Sequence, residues 1–263
     1  MNNNRNLKEG DYVVLINHKN KRKLIRLKRD ALYFTHYGSI KHNDILNLSD
    51  GSKILTDKGL PFRLFKATYS DFVLGMKRQA QIIYPKDVAV MLLWADIYPG
   101  LSILEAGLGQ GGLSIAILRL LNGSGSLVSY EIREDFAEQS KNFINQFVGE
   151  QKNHKIILGD IYNGFDGIFD RVLLDLAEPW RVIVYLDKGL VEGGIVIAYI
   201  PTILQVKTYV DTMQELGYFA DIEVFENIKR PWQVKGLSVR PETWMYNHSA
   251  FIVYARKISE VKL

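Results

Sequence analysis

Hydrophobic and polar positions divide this chain into two stretches of different period. Between residues 11 and 66 the apolar residues fall in short runs: Tyr12–Ile16, Leu24–Lys28, Leu32–Thr35, Ile45–Leu48, Lys53–Leu55 and Phe62–Lys66. Turn-forming clusters such as Asn17-His-Lys-Asn20 and Ser49-Asp-Gly-Ser52 separate them, so the stretch reads as a small β-barrel or β-sandwich. Ser70 or Asp71 is placed to cap a helix running to about Arg78, and Pro85 to open one whose apolar face is Val88, Met91, Leu92 and Ala95. From Leu101 onward buried-strand runs alternate with helical ones. The strands are Leu101–Glu105, Leu127–Glu131, Lys155–Leu158, Arg171–Asp175 and Ile195–Tyr199; the helices span about 112–121, 134–148, 179–190 and 202–216. Phe219–Phe225 and Ala250–Ala255 would close the fold as an antiparallel edge pair. This alternation predicts an α/β fold with a doubly wound parallel sheet at residues 69–263, preceded by a small all-β domain at 1–68.

The sharpest change of pattern lies at Leu101–Leu121, where a strand run passes through Gly107, Gly109, Gly111 and Gly112 into a helix beginning near Leu113. Glycines let the backbone adopt positive φ, approach a ligand closely and present helix N-terminal N–H groups to it. Such turns also arise from packing alone. The strand that follows ends on Glu131, about 20 residues on, where a carboxylate accepts hydrogen bonds from a ribose diol. Glu105, at the edge of the glycine loop, suits an amine-bearing or cationic ligand better than a pyrophosphate, which favours S-adenosylmethionine over a nicotinamide dinucleotide. Asp160 and Asp175 follow the next two strands, so three acids line the sheet end where doubly wound folds bind ligands. The structural alternatives are a solvated strand end for Glu131 and a helix cap for Asp175.

Composition narrows the classes. No apolar run of membrane-spanning length and no signal-peptide core is present, and the expected location is the cytoplasm. The absence of cysteine excludes disulfides and thiolate chemistry, and the five histidines are too dispersed for a metal site. A net charge of +4 is weak evidence for a polyanionic partner. The run Lys19, Lys21, Arg22, Lys23, Arg26, Lys28, Arg29, uninterrupted by acids, is stronger, although a solvated hairpin would look the same.

Several segments together resemble the tRNA adenine-N1 methyltransferases that modify T-loop adenine 58. They are Gln81-Ile-Ile-Tyr-Pro-Lys-Asp87, Glu105-Ala-Gly-Leu-Gly-Gln-Gly-Gly112, Tyr130-Glu-Ile-Arg-Glu134, Gly159-Asp-Ile161, Asp175-Leu-Ala-Glu-Pro-Trp180 and Arg230-Pro-Trp232. The resemblance implies a seven-stranded sheet in the order 3-2-1-4-5-7-6, a homotetramer, tRNA as partner and S-adenosylmethionine as methyl donor. It implies a methionine site at Glu105, Gly107, Gly109, Gln110, Gly111, Gly112 and Leu113, ribose contacts from Glu131, and adenine contacts from Asp160 and Ile161. It further implies Asp175 as catalytic aspartate, with Tyr84 near the target base. Gln110 stands where relatives often have Ser, Ala177 where they have Pro, and His248-Ser-Ala-Phe251 where they have His-Thr-Gly-Phe. Methylation of adenine 57 beside 58 is left open. The rivals are a nicotinamide-dependent dehydrogenase and a non-catalytic tRNA-binding subunit.

Overall fold

In the computed structural model, which describes residues 6–77, 81–245 and 247–259, the chain forms two units, Met1–Gln79 and Ala80–Leu263. In the first, β1 (Tyr12–Asn17) pairs antiparallel with β2 (Arg22–Arg26), while β3 (Leu32–Thr35) and β4 (Gly38–Lys41) make a separate hairpin. The short helix α1 (His42–Ile45) follows, then β5 (Lys53–Leu55) and β6 (Pro61–Lys66), which complete a four-stranded sheet of order β2-β1-β6-β5. Val13, Leu15, Phe62 and Leu64 from that sheet and Ile40 from the hairpin share one core. Of the barrel and the sandwich expected, the two sheets form the sandwich, sharing one core.

Two expectations fail here. Ile45–Leu48 is not a strand: Leu46 N–H donates to His42 O and Leu48 N–H to Ile45 O, and Asn47 reverses the chain at φ 71°. Burying Ile45 needs only a helical turn, and the alternating Ile-Leu-Asn-Leu pattern cannot distinguish that from a strand. The helix α2 (Tyr69–Gly75) is capped by Thr68, not by Ser70 or Asp71; Asp71 is the reciprocal partner in a capping box, accepting from Thr68 N–H at 3.1 Å. This helix packs on β2 and falls with the first unit. Its expected end at Arg78 lies outside the described residues.

In the second unit α3 (Pro85–Trp94) opens on Pro85 as read from sequence. Then come β7 (Ser102–Ala106), α4 (Gly112–Leu121), β8 (Ser126–Glu131), α5 (Glu134–Val148), β9 (His154–Leu158) and β10 (Phe169–Leu174). The expected helix 179–190 is two short ones, α6 (Trp180–Ile183) and α7 (Leu186–Gly189). After them come β11 (Leu190–Ile200), α8 (Ile203–Leu216), β12 (Phe219–Glu226), an unanticipated hairpin of β13 (Trp232–Lys235) and β14 (Ser238–Pro241), and β15 (Phe251–Lys257). The sheet runs β9-β8-β7-β10-β11-β15-β12, which is the order 3-2-1-4-5-7-6. Strand β15 lies antiparallel to both neighbours and inserts between β11 and β12, so β12 alone forms that edge. Leu104, Val172, Leu174, Val196 and Val253 fill the core on one side of the sheet. Among the described residues no helix is long and apolar enough to cross a membrane.

Candidate active site

The order of the sheet puts β7 between β8 and β10, so the turn leaving β7 is flanked by the carboxyl ends of both neighbours. The glycines of that turn separate into two kinds. Gly107 has φ +89°, and a Cβ there would stand 2.0 Å from Asp175 O, so this glycine is required by the approach of the β10 end. At Gly109, with φ +54°, a Cβ would meet only Gly107 O at 3.9 Å. The backbone here is left-handed yet open: its N–H donates to Glu131 and its carbonyl accepts from Ser140 Oγ, while the space beside its Cα is left clear for a close approach. Gly111 belongs with Gly107, since a Cβ would press on Ile144 of α5 at 3.0 Å. Gly112 and Leu113 begin α4, and Leu113 is buried. Gln110 is buried too, its Nε2 donating to Gln139 Oε1 at 3.2 Å.

Glu131 is no solvated strand end, being 6% exposed. Its Oε1 accepts from the N–H groups of Ile132 and Arg133, each at 3.1 Å, and its Oε2 from Gly109 N–H at 3.1 Å. The carboxylate therefore ties the β8 end to the glycine loop and keeps lone-pair capacity on Oε2. Gly159 N–H donates to Glu131 O at 2.9 Å, bringing the residues after β9 alongside. There Asp160 caps a single helical turn, Ile161–Asn163, by accepting from Tyr162 N–H at 2.9 Å, and Ile161 is buried.

Glu105 is fully buried in β7. Its Oε2 accepts 2.6 Å bonds from Ser114 Oγ on α4 and from Ser129 Oγ on β8, its neighbour across the ladder. Its Oε1 is buried with no hydrogen-bond partner among the described residues. An orphaned carboxylate oxygen in a closed environment costs free energy unless a donor reaches it or a proton occupies it. Burial, with the nearby Asp175 charge adding to it, pushes Glu105 up to about 7.

Asp175, just past β10, is held by its own N–H donating to Ala106 O at 2.9 Å. It caps nothing: α6 begins at Trp180 with Pro179 in the cap position and no side-chain cap. Among the described residues no group donates to the Asp175 carboxyl, and burial pushes it up to about 7. Tyr84 is half-buried and occupies the N-cap position of α3, where its carbonyl accepts from Asp87 N–H at 2.8 Å and Val88 N–H at 3.0 Å. Trp180 packs against the core of the unit.

One cluster was not anticipated. Asp87 is fully buried and accepts from Lys86 Nζ at 2.6 Å, Ser249 Oγ at 2.8 Å and the Tyr199 hydroxyl at 3.1 Å. Lys86 Nζ also donates to Asn227 O at 2.6 Å and to Ser249 Oγ at 2.8 Å. The Tyr199 phenol is raised mainly by burial, and because Ala198 pairs with Leu174 in the sheet, Tyr199 stands at the strand end that leads into Asp175, so the cluster joins the start of α3 to the carboxyl end of the sheet. Its one sequence signal was the Tyr84-Pro-Lys-Asp87 segment, whose Asp87 reads locally as a first-turn helix residue. The structure thus gathers Glu105, the glycine loop, Glu131, Asp160, Ile161 and Asp175, while Tyr84 is tied through its carbonyl to Asp87, and Asp87 to Tyr199.

A family described as the tRNA methyltransferase complex GCD14 subunit matches residues 63–250, and a TrmI-like N-terminal family matches residues 6–54. The tRNA (adenine(58)-N(1))-methyltransferase TrmI of Thermus thermophilus is 30% identical, covering 93% of this chain and 96% of its own. A crystal structure described as an S-adenosylmethionine-dependent O-methyltransferase from Thermotoga maritima superposes with a TM-score of 0.93 at 31% identity, over 98% of this chain and 97% of that one. The tRNA (m1A58) methyltransferase TrmI from Aquifex aeolicus gives a TM-score of 0.84 at 27% identity, over 97% and 100%. The chain belongs to the GCD14/TrmI family of tRNA methyltransferases.

Proposed function

We propose that this protein transfers a methyl group from S-adenosylmethionine to N1 of adenine 58 in the tRNA T-loop, with Asp175 as the catalytic residue. The observation that carries the proposal is the half-buried Asp175 carboxyl, packed beside the glycine loop and given no donor among the described residues. A side chain so placed is set to take its hydrogen bond from a ligand.

The cofactor supplies a methyl group activated on a sulfonium. The open backbone at Gly109, with the buried Gln110 and Leu113 beside it, would hold it, Glu131 would accept from the ribose hydroxyls, and Asp160 and Ile161 would flank the adenine. The orphaned Oε1 of Glu105 fits a site that receives a cationic, amine-bearing molecule. Adenine N1 already bears a lone pair, so no base must create the nucleophile, and the rate depends on alignment. Asp175 would accept from N6–H2, fixing the base and stabilising the positive charge that develops as N1 is methylated. The target adenine must leave its stack to arrive there, and Tyr84 is the residue assigned to contact it. The nicotinamide reading finds no hydride-transfer acid–base partner here, and the intact Asp175 and glycine loop weigh against a non-catalytic subunit. The proposal keeps the homotetramer expected from the resemblance and the cytoplasmic location expected from composition.

Single-turnover methylation of tRNA by Asp175→Ala is expected to fall by about 100-fold or more, the usual loss for one electrostatic transition-state contact. Asp175→Asn keeps an acceptor for N6–H2 but lacks the charge, and should also lose rate with folding unchanged. Near wild-type turnover of Asp175→Asn at saturating tRNA and cofactor would remove Asp175 from the chemistry.

A further inference from the structure

The first unit carries a groove that the chemistry above does not use. It lies between the β1–β2 hairpin and the β3–β4 hairpin, has a volume of about 680 Å³, and is floored by Leu15 and Phe62. One wall presents Lys21, Arg22 and Lys23, all exposed; the other presents Tyr33, Phe34, His36 and Tyr37. No carboxylate lines it. Arg22 is paired with Asp71, so the available positive charge is that of Lys21 and Lys23.

Phe34 decides what such a groove is for. The residue is 75% exposed and shares its face of β3 with Leu32, 46% exposed, while Tyr33 between them packs against the sandwich core. An exposed phenyl ring beside two lysines is a poor way to stay soluble, but it is the combination with which proteins hold an unpaired nucleotide: a ring face for the base and ammonium groups for the phosphate. The walls are also held in place. Asn17 Oδ1 accepts from Lys19 N–H and Lys21 N–H, each at 2.9 Å, which fixes the tip of the first hairpin. In the second, Thr35 Oγ1 donates to Gly38 O at 2.8 Å and accepts from Tyr37 N–H at 2.9 Å. The His18 ring and Lys19 Nζ stand against the Tyr37 ring, at 4.9 Å and 5.9 Å from its centroid, so an ammonium group already borders the aromatic wall.

We infer that this groove binds one unpaired nucleotide of an RNA, its base stacked on Phe34 and its phosphate held by Lys21 and Lys23. The inference rests on the reading of tRNA as substrate and adds a second, non-catalytic RNA contact within the first unit. Stacking within a duplex would bury the base faces the groove needs, so recognition is confined to loop or single-stranded nucleotides.

The test uses the full chain, an oligouridylate 12-mer, an unmodified tRNA transcript and fluorescence anisotropy. Phe34→Ala is expected to weaken oligouridylate about 5- to 150-fold, the range for one base stacked on an aromatic ring. Phe34→Trp should restore binding and Phe34→Leu should not, because a leucine offers apolar surface without a ring face. Lys21→Ala with Lys23→Ala should weaken both RNAs and flatten the salt dependence. Thermal stabilisation by S-adenosylhomocysteine should be the same in every variant, showing that the fold and the cofactor site are intact. Equal binding by wild type and Phe34→Ala overturns the inference, as does rescue by leucine. A fall in oligomer mass with Phe34→Ala, at unchanged RNA affinity, would assign the ring to self-association and overturn it too. The catalytic reading fails separately: a protein that binds the 12-mer through Phe34 yet methylates no tRNA keeps the groove and loses the proposed reaction.

Discussion

Glu105 shows how much one buried carboxyl changes the behaviour of the site. Its pKa lies near 7 in the fold against 4.5 as the ordinary value, because burial disfavours the charged form. A carboxyl raised in the folded state binds more protons there than in the unfolded chain between those pH values, so stability is greatest below about 4.5 and falls as pH rises toward 7 and beyond. Asp175 adds a fall of the same sign, from 3.8 to about 7. Glu105→Gln cannot ionise, and its denaturant-derived stability is expected to decline less between pH 5 and pH 8 than that of wild type. Parallel curves would mean that Glu105 is ionised throughout. Activity should run the other way, rising as pH passes about 7 and Asp175 becomes the carboxylate that the cationic product requires. At this scale the sequence was readable where a residue's place follows from a strand end, as for Glu131, Asp160 and Asp175. It was not readable for Asp87, whose partners Tyr199 and Ser249 lie 112 and 162 positions away.

At the scale of elements, the turn from β7 to α4 contains glycines that look alike in sequence and differ in the fold. Gly107→Ala forces a Cβ to 2.0 Å from the Asp175 backbone as well as a left-handed alanine, whereas Gly109→Ala carries only the second strain, on the order of 1–2 kcal/mol. Thermal unfolding should show the first variant badly destabilised and the second modestly so. Calorimetry should find that Gly109→Ala nonetheless loses S-adenosylhomocysteine affinity, since its Cβ enters the open space a ligand would use. Equal melting temperatures for the two would show that the loop relaxes around either. The parallel strands and their helices were legible because alternation over a long stretch has one common solution. The Ile45–Leu48 turn and the β13–β14 hairpin were not. The first has an apolar pattern that two local structures satisfy. The second leaves Trp232, Val234 and Val239 exposed, so no inward face marks it as a strand pair.

For the whole molecule, those exposed residues of the β13–β14 hairpin give the proposed homotetramer a physical motive, since an apolar arm of this kind is ordinarily covered. Light scattering should report about four times the 30.1 kDa chain mass, and Trp232→Ser with Val234→Ser should lower it. A monomer in both cases would remove the assembly from the proposal. The reaction itself is tested most directly by its product. An unmodified tRNA transcript is incubated with the protein and S-adenosylmethionine, digested, and its methylated nucleoside identified and mapped. The expected result is 1-methyladenosine at position 58, absent with Asp175→Ala. A methyl group on a ribose oxygen or on another base, or no transfer to any tRNA, would contradict it.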